Sequence, residues 1–228
     1  MTSVSAAPTR AVERALELLA AVSSAEPVSL AECARRTRLA PSTALRLLRT
    51  LERAAFVRRD DVGYFHSGTR LIQLGAAALG RQALVARSEP ALRRIVAATG
   101  ESAYLSISGP NDTAIYVAMV EGTHAVRHTS WVGRAVPMSG LAVGEALLGD
   151  VGDTGYVAQR DLQEPDVTAI AAPIRRPGGV AGALSLLGPT YRIDDQAMHE
   201  YGQIVSREAR ALAEQLGVSQ WDATEEAR

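Results

Sequence analysis

The periodicity of the sequence changes at Gly100. Before it, apolar residues recur mainly at spacings of three and four, which is typical of amphipathic helices. After it, short apolar runs alternate with turns containing glycine and proline, which predicts strands. A chain of 228 residues can bury one large core or two smaller ones. We therefore predict an α+β protein with a mostly helical N-terminal part and a C-terminal antiparallel sheet with flanking helices.

Three helices are expected in the first 54 residues. The first covers residues 9–23 and ends near Ala25-Glu26-Pro27. Ser29 and Glu32 have the spacing of a capping box, which starts a second helix. Pro41 suits the first turn of a third helix, where its missing N–H costs nothing. The residues expected to face the core are Val12, Ala15, Leu16, Leu19 and Val22 on the first helix and Leu45, Leu48 and Leu51 on the third.

A β-hairpin follows the third helix. Residues 56–59 and 64–66 are β-prone and flank a polar turn that contains Gly63. Three helices followed by a hairpin is the element order of a winged helix-turn-helix, whose second motif helix enters the major groove of DNA. We assign this domain to residues 9–68.

Residues 69–88 predict a linker helix, and Ser88 is expected to cap the next helix, which ends at Gly100. The C-terminal domain is assigned to residues 89–217, with a tail over 218–228. Its strands are expected over residues 103–108, 113–120, 125–131, 167–174 and 180–187, with a short helix over 142–148 and a long one over 194–216 stopped by Gly217.

Positive charge is concentrated in the N-terminal part. Residues 1–87 contain 13 arginines and 7 acidic residues, whereas the remainder contains 11 arginines and 18 acidic residues; the chain has no lysine. Phosphate contacts require such a basic surface, and arginine forms a bidentate pair with guanine. The residues expected to contact double-stranded DNA are Pro41, Ser42, Thr43, Arg46, Arg49, Arg58 and Arg59.

Other classes of site lack support in the sequence. Cys33 is the only cysteine, so an intrachain disulfide or a thiolate cluster is excluded, and we expect it to be a buried apolar residue. His124 and His128 lie in a β-prone stretch, where residues four apart are about 13 Å apart, which disfavours a shared metal. No catalytic set and no cofactor motif is found. With no apolar run of about 18 residues and no secretory pattern at the N-terminus, a cytoplasmic protein is expected.

At several separate points the chain resembles the IclR family of transcription regulators. In the N-terminal part the segments are LAECAR (30–35), LAPSTALRLLRTL (39–51), FVRR (56–59) and GYF (63–65). In the C-terminal part they are GESAYL (100–105), VGRAVPM (132–138), GEALL (144–148), IAAPI (170–174) and ALSLLGP (183–189). The resemblance implies a winged helix joined by a linker helix to a GAF-like effector domain, assembly as a homodimer or tetramer on a near-palindromic operator, and no catalysis.

The resemblance also implies a small-molecule effector site, at Ala142, Val143, Gln159, Val167, Ala169, Ser185 and Leu187. Here Ala169 stands where the family commonly has cysteine, and Leu187 where it often has serine. The losses of polar anchors favour a ligand less polar than a small organic acid. The chain also has only residues 149–154 where the family usually has several tens of residues, so the effector domain is trimmed.

Two alternatives stay open at this point. The trimmed C-terminal domain is also compatible with a degenerate sensor that serves only dimerisation. A small-molecule enzyme or binding module with an incidental basic domain is the other reading, although no nucleophile, metal set or acid–base pair has convincing spacing. Tyr104, Tyr116, Met119 and Trp131 fit either a pocket lining or packing against a helix, and packing is favoured.

Overall fold

The computed structural model describes residues 9–24, 27–80 and 83–225, with side chains described up to residue 217. The chain divides into an N-terminal unit, Met1–Arg81, and a C-terminal unit, Gln82–Arg228. Helices and one hairpin form the first unit, and an antiparallel sheet with helices forms the second. The predicted α+β class is confirmed.

The N-terminal unit has the predicted order of elements. They are α1 (Arg10–Ser23), α2 (Leu30–Arg36), α3 (Pro41–Arg53), β1 (Val57–Arg59), β2 (Phe65–Ser67) and α4 (Thr69–Gly80). Strands β1 and β2 are antiparallel, with Arg58 opposite His66. A bridge between Val28 and Phe65 adds one residue pair to the hairpin. Three helices and a wing therefore form, as the sequence predicts.

Local signals fix where α2 and α3 begin. The Ser29 hydroxyl accepts a hydrogen bond from the backbone N–H of Glu32 at 3.2 Å, which is half of the predicted capping box. The Glu32 carboxylate does not complete the box, because it pairs with Arg35 and Arg36 instead. Pro41 occupies the first turn of α3 as predicted. The predicted end of α1 at residues 25 and 26 lies outside the described residues.

The core of the N-terminal unit includes Leu18, Val22, Cys33, Leu48 and Phe65, all of them fully or almost fully buried. The burial of Cys33 is confirmed. The predicted stripe of α1 was partly wrong, because two of its members, Val12 and Leu16, are exposed. Helix α1 has apolar residues on two sides, and spacing alone does not select the side that packs against α3.

Helix α3 was also assigned a face slightly rotated from the observed one. Its buried residues are Ala44, Leu47 and Leu48, whereas Leu45 and Leu51 are only partly buried at the edge of the core. Because leucine occurs on several sides of this helix, the predicted positions overlapped with the buried side without matching it.

The C-terminal unit contains one six-stranded antiparallel sheet in the order β5-β4-β3-β8-β7-β6. Its elements are α5 (Ala83–Thr99), β3 (Ser102–Ser108), β4 (Thr113–Val120), β5 (Ala135–Pro137), α6 (Ala142–Leu148), β6 (Val157–Arg160), β7 (Val167–Arg176), β8 (Gly179–Pro189), a 3-10 turn (Thr190–Arg192) and α7 (Asp195–Glu225). The helix over 142–148 and the hairpin of β7 and β8 are confirmed. The end of α5 before Gly100, whose φ is +74°, is also confirmed.

Each face of this sheet is covered, because alternate residues of a strand point to opposite faces. Helices α5 and α7 pack on one face, against residues such as Leu105 and Leu184. Helix α6 packs on the other, where Tyr104, Tyr116 and Leu187 are buried. The predicted effector residues belong to elements of this second face.

Two predictions for the connection and the strands were wrong. Ser88 does not cap a helix: it lies inside α5, where its hydroxyl donates to the carbonyl of Val85 at 2.8 Å. Residues 125–131 form an irregular loop, and β5 starts only at Ala135. The loop turns His128 and Trp131 into the interior, which a strand with alternating directions would not do. Part of the predicted linker helix, residues 81 and 82, lies outside the described residues.

Strand β6 was not predicted, and α7 is longer than predicted. Helix α7 continues through Gly217 to Glu225, so Gly217 does not stop it and residues 218–225 of the predicted tail are helical. Glycine lowers helix stability without forbidding the helix. Residues 226–228 lie outside the described part of the chain.

Candidate nucleic-acid interface and ligand site

Helix α3 presents the residues predicted to contact DNA. Its N-cap, Ala40, is extended, and the helix starts at Pro41. Ser42 and Arg46 are exposed and Thr43 is half-buried. On the opposite side of the helix, Ala44 and Leu48 are completely buried. The core thus holds one side of α3 and leaves the polar side facing outward.

The outer side of α3 forms a shallow groove in which arginines outnumber the one acidic residue and form no salt bridge among the described residues. The groove is lined by Ser42, Leu45, Arg46, Arg49, Thr50, Glu52 and Arg53. The Thr50 hydroxyl donates to the Arg46 carbonyl at 3.1 Å, so its hydrogen bond is made within the helix. Among the described residues, no acidic side chain forms a salt bridge with Arg46, Arg49 or Arg53.

On helix α2, unlike on α3, arginines form salt bridges with an acidic residue. Its Glu32 lies 2.6 Å from both Arg35 and Arg36. These hydrogen bonds, first that of Arg35 and then that of Arg36, lower the pKa of Glu32 to about 2. The carboxylate therefore stays charged and offsets one of the two positive charges of Arg35 and Arg36. In the described part of the chain, helix α3 has no such acidic partner for its three arginines.

The wing turn is organised by an acidic residue. Asp60 accepts hydrogen bonds from the backbone N–H groups of Gly63 and Tyr64, both at 2.8 Å. Its second oxygen lies 2.9 Å from Nε2 of His66. The contact with His66 is the main cause that lowers the pKa of Asp60. Asp60 therefore stabilises the turn, in which Gly63 has a φ of +102°.

Arg58 and Arg59, the two predicted wing residues, are both exposed but have different surroundings. Arg59 lies over the ring of Phe65, with its guanidinium carbon 5.6 Å from the ring centroid. Its Nε also donates to the Gly63 carbonyl at 3.2 Å. The side chain of Arg59 is thus held along the hairpin, while Arg58 points to the other face of β1.

The structure brings the seven predicted effector residues to one region of the C-terminal unit. Gln159, Ala169 and Leu187 are directly opposite one another across β6, β7 and β8. Ala142 and Val143 are buried on α6, and both belong to the same apolar cluster as Leu187. Ser185 is opposite Tyr104, and Val167 is half-buried at the start of β7.

The polar Gln159 already has a partner, because its amide Nε2 donates to Glu145 Oε1 at 3.2 Å. Helix α6, which carries Glu145, ends at Gly149 in the left-handed conformation, with a φ of +83°. Strand β6 begins only at Val157. The short connection that the sequence indicates is thus a turn between α6 and the sheet edge.

Four aromatic rings form a cluster beside the predicted effector residues. We call Tyr104, Tyr116, His128 and Trp131 the aromatic cluster. Ring centroids lie 5.3 Å apart for Tyr104 and Tyr116, 5.6 Å for Tyr116 and Trp131, and 4.5 Å for His128 and Trp131, each pair edge-to-face. This arrangement is favoured by the ring quadrupoles. Sequence reasoning missed His128, because its segment was predicted as a strand.

Hydrogen bonds connect the cluster to the surrounding loops. The Tyr104 hydroxyl lies 2.7 Å from both the Thr129 carbonyl and Nδ1 of His128. The Tyr116 hydroxyl donates to Gln163 Oε1 at 3.5 Å. Burial raises the pKa of Tyr116 to about 12 and is the main cause that raises the pKa of Tyr104. Both phenols therefore stay protonated.

A cavity of about 330 Å³ adjoins the cluster. The segments that line it are residues 126–129, residues 164–167 and the end of β8 with Tyr191. Among its lining residues are His128 and Glu164, as well as Val167 from the predicted effector set. Its volume is at the lower end of the range of small-molecule pockets.

The described residues offer no alternative site for a metal or a membrane segment. Within residues 9–24, 27–80 and 83–225, no group of three or more histidine, cysteine or acidic side chains could hold a metal ion. No helix in the same part of the chain is long and apolar enough to cross a membrane.

Two family models match the chain. The model described as "IclR helix-turn-helix domain" matches residues 11–61, and the model described as "Bacterial transcriptional regulator IclR C-terminal" matches residues 76–154. Among solved structures, an IclR-type regulator from Alicyclobacillus acidocaldarius has a TM-score of 0.79 at 24% identity and covers 90% of this chain and 98% of its own. An IclR homolog from Microbacterium hydrocarbonoxydans, complexed with 4-hydroxybenzoate, has a TM-score of 0.72 at 21% identity, covering 89% and 97%.

The chain is also similar over most of its length to a curated regulator. The HTH-type transcriptional regulator BhcR of Paracoccus denitrificans is 30% identical over 241 aligned residues, which cover 90% of this chain and 86% of the relative. The transcriptional repressor IclR of Escherichia coli is 24% identical, with 89% and 88% covered. The protein therefore belongs to the IclR family of transcription regulators, with an N-terminal helix-turn-helix for DNA and a C-terminal ligand-binding domain.

Proposed function

We propose that this regulator reads duplex DNA with α3 and the wing, and that a small molecule bound on the α6 side of the C-terminal sheet controls it. The single observation that carries the DNA-reading part of the proposal is the outer side of α3. It is exposed and carries three arginines against Glu52, and none of the three forms a salt bridge among the described residues. Duplex DNA matches this surface because its phosphates are a dense row of negative charges.

In this proposal the first turn of α3 faces the base edges of the major groove. Ser42 and Thr43 carry hydroxyls that suit phosphates or bases, and Arg46 follows one turn later with five N–H donors in a rigid fork. Arg49 and the wing arginines, Arg58 and Arg59, are assigned to phosphates. Pro41 sets the start of the helix and thereby its entry position.

Replacing Arg46 by alanine should weaken binding to the operator by about 1–3 kcal/mol, because a bidentate pair with a base is lost. The effect should be measured by fluorescence anisotropy of labelled DNA from beside the protein's own gene, at several salt concentrations. Wild-type affinity should fall steeply as salt rises.

Arg93→Ala is the matched control for that experiment. It also removes one exposed arginine, but from the C-terminal unit, where Arg93 pairs only with Glu89 at 2.6 Å. This variant should bind the DNA as wild type does. Equal loss for both variants, or wild-type affinity that ignores salt, would argue against reading by α3.

The second half of the proposal assigns the effector to the seven residues Ala142, Val143, Gln159, Val167, Ala169, Ser185 and Leu187. The support is that four elements, α6, β6, β7 and β8, bring these positions together around one apolar cluster. A homolog of the same fold is complexed with 4-hydroxybenzoate, which supports a small organic ligand as the type of effector for this chain.

The organisation of the chain is part of the same proposal. We place the DNA-binding domain at residues 9–68, the linker at 69–88 and the effector domain at 89–217, in a cytoplasmic protein without catalytic activity. A homo-oligomer, a dimer or a tetramer, would bind a near-palindromic operator by two-fold symmetry. Exposed apolar residues of the N-terminal unit, including Val12, Leu16 and Ile72, favour such assembly.

A further inference from the structure

Unsatisfied polar atoms are concentrated around the aromatic cluster. Among the described residues, four buried side-chain atoms make no hydrogen bond: Ser106 Oγ, Ser185 Oγ, His128 Nε2 and Gln163 Nε2. Ser106 is opposite Tyr116 in the sheet and Ser185 is opposite Tyr104. Gln163 contacts the Tyr116 hydroxyl. Buried polar groups in proteins are nearly always paired, so their accumulation at one place needs an explanation.

Hydrogen-bond valence defines the protonation of His128. The Tyr104 hydroxyl has a single proton, and the Thr129 carbonyl, 2.7 Å away, can only accept. Tyr104 therefore donates to Thr129, and Nδ1 of His128 must donate to the Tyr104 oxygen at 2.7 Å. In the neutral ring the proton is on Nδ1, and Nε2 presents a lone pair.

That lone pair faces a second acceptor. Glu164 Oε2 lies 3.5 Å from Nε2 of His128, and no hydrogen bond joins them. Burial is the main cause that lowers the pKa of His128, although the Glu164 carboxylate opposes it. Two acceptors in contact repel each other unless a donor is shared between them. A hydroxyl about 2.9 Å from each atom would share its one proton between them in a three-centre hydrogen bond, and an amino group could donate one proton to each.

We propose that the effector is a small, uncharged ring compound whose hydroxyl or amino group donates from the adjoining cavity into the gap between His128 Nε2 and Glu164 Oε2. This inference rests on the proposed ligand-binding function and names the ligand class of that site. It adds two residues outside the predicted effector set.

The rest of the site fits such a ligand. His128, Glu164 and Val167 all line the cavity, together with Tyr191, whose ring can pack against a planar molecule. Gln163, whose Nε2 has no partner, is next to the lining residue Glu164 in the chain. Ser185, one of the predicted effector residues, supplies a hydroxyl on the same sheet face.

Charge at the site disfavours an anion. An anion would replace the shared donor with a third acceptor beside the carboxylate of Glu164. Arg134 is engaged outside the cavity: its Nη1 lies 3.9 Å from Glu164 Oε1 and its guanidinium stacks on Trp131 at 4.1 Å. Arg127 lines the cavity, but it pairs with Glu121 at 3.2 Å, and Asp166 in the same lining carries the opposite charge. A neutral donor is therefore the best match.

Three one-ring probes separate the possibilities: phenol donates a hydrogen bond, anisole has the same ring and oxygen without the donor, and benzoate is an anion. Binding to the full-length protein should be measured by isothermal titration calorimetry. We expect phenol to bind at least tenfold more tightly than either of the others. Equal binding of anisole, preference for benzoate, or binding of none of the three would overturn the proposal.

Two variants test the named acceptors. Glu164→Gln supplies an N–H to Nε2 of His128, so it should reduce the preference for phenol over anisole to less than threefold. His128→Phe removes the acceptor and should do the same while keeping a ring in the cluster. Glu214→Gln, which changes an exposed carboxylate of α7, should retain the full preference.

His128 is buried, so the melting temperature of each variant should be measured first. If His128→Phe does not fold, the half-buried Glu164 still decides the question. An unchanged preference for phenol in Glu164→Gln contradicts the proposal. DNA binding is measured separately. A protein that binds phenol but no DNA would contradict the proposal that α3 reads DNA, and it would leave the inference about the ligand standing.

Discussion

Replacing Arg192 by alanine should lower the free energy of unfolding of the C-terminal unit by about 3–5 kcal/mol. Arg192 binds the completely buried Glu101 through two hydrogen bonds, at 2.5 Å from Nε to Oε1 and 2.9 Å from Nη2 to Oε2. Without the guanidinium, the carboxylate stays buried, and the one ion-pair contact left to it among the described residues is with His124 at 3.8 Å. Urea unfolding followed by circular dichroism would measure the loss.

The matched control is again Arg93→Ala, now for stability. Arg93 forms an exposed pair with Glu89, and such pairs contribute about 0–1 kcal/mol. A double variant, Glu101→Gln with Arg192→Ala, should recover part of the loss because it removes the unpaired charge. If Arg192→Ala costs no more than Arg93→Ala, the Glu101 carboxylate is not the buried charge that this structure describes.

Gly144→Ala should also destabilise the C-terminal unit strongly, by about 3 kcal/mol or more. A Cβ on Gly144 would lie 1.8 Å from the backbone oxygen of Met138 and 2.4 Å from its carbonyl carbon. Backbone atoms cannot rotate away as a flexible side chain can, so α6 would have to move out of the cluster. Thermal unfolding should show a decrease in Tm on the order of 10 °C.

The same substitution at Gly217 serves as the control. Gly217 lies in α7, and nothing lies within 4 Å of a Cβ added there. Alanine is favoured over glycine in a helix by about 0.5–1 kcal/mol, so this variant should be neutral or slightly more stable. A Gly144→Ala protein as stable as wild type would contradict the close approach of α6 to Met138.

The N-terminal unit was predictable because its signals are local. Ser29, Pro41 and the glycine turn of the wing each specify one boundary, and each boundary was confirmed. The side on which α1 packs was not predictable, because apolar residues occur on two sides of that helix. Packing against α3 decides between them, and a single sequence does not contain that information directly.

In the C-terminal unit the strands that are apolar runs bounded by turns were predicted correctly, and the irregular parts were not. Residues 125–131 are as β-prone as a strand, yet the backbone of this loop is held by side chains from elsewhere: Ser102 Oγ donates to the His128 carbonyl, and Tyr104 to that of Thr129. Such long-range bonds are invisible in local periodicity. Strand β6 is short and half-buried on every residue, which leaves no alternating pattern.

The DNA-binding site and the effector site also differ in how far the sequence alone predicts their residues. The DNA-contacting residues follow one another on α3 and β1, so charge and spacing were sufficient to group them. The effector positions came from the family resemblance, and only the register of β6, β7 and β8 brings them together. His128 and Glu164 come from two loops, and no spacing in the sequence relates them.

The salt bridges of Glu32 with Arg35 and Arg36 on α2 affect how DNA first approaches the protein. Because Glu32 stays ionised down to a pH of about 2, it compensates one of the two positive charges that Arg35 and Arg36 place on α2. The long-range electric field of the helix-turn-helix is then strongest at α3, which carries Arg46, Arg49 and Arg53 against the single acidic residue Glu52. Such an asymmetric field rotates an approaching polyanion before contact, so a duplex should arrive already facing the groove-reading helix, and added salt should slow its arrival.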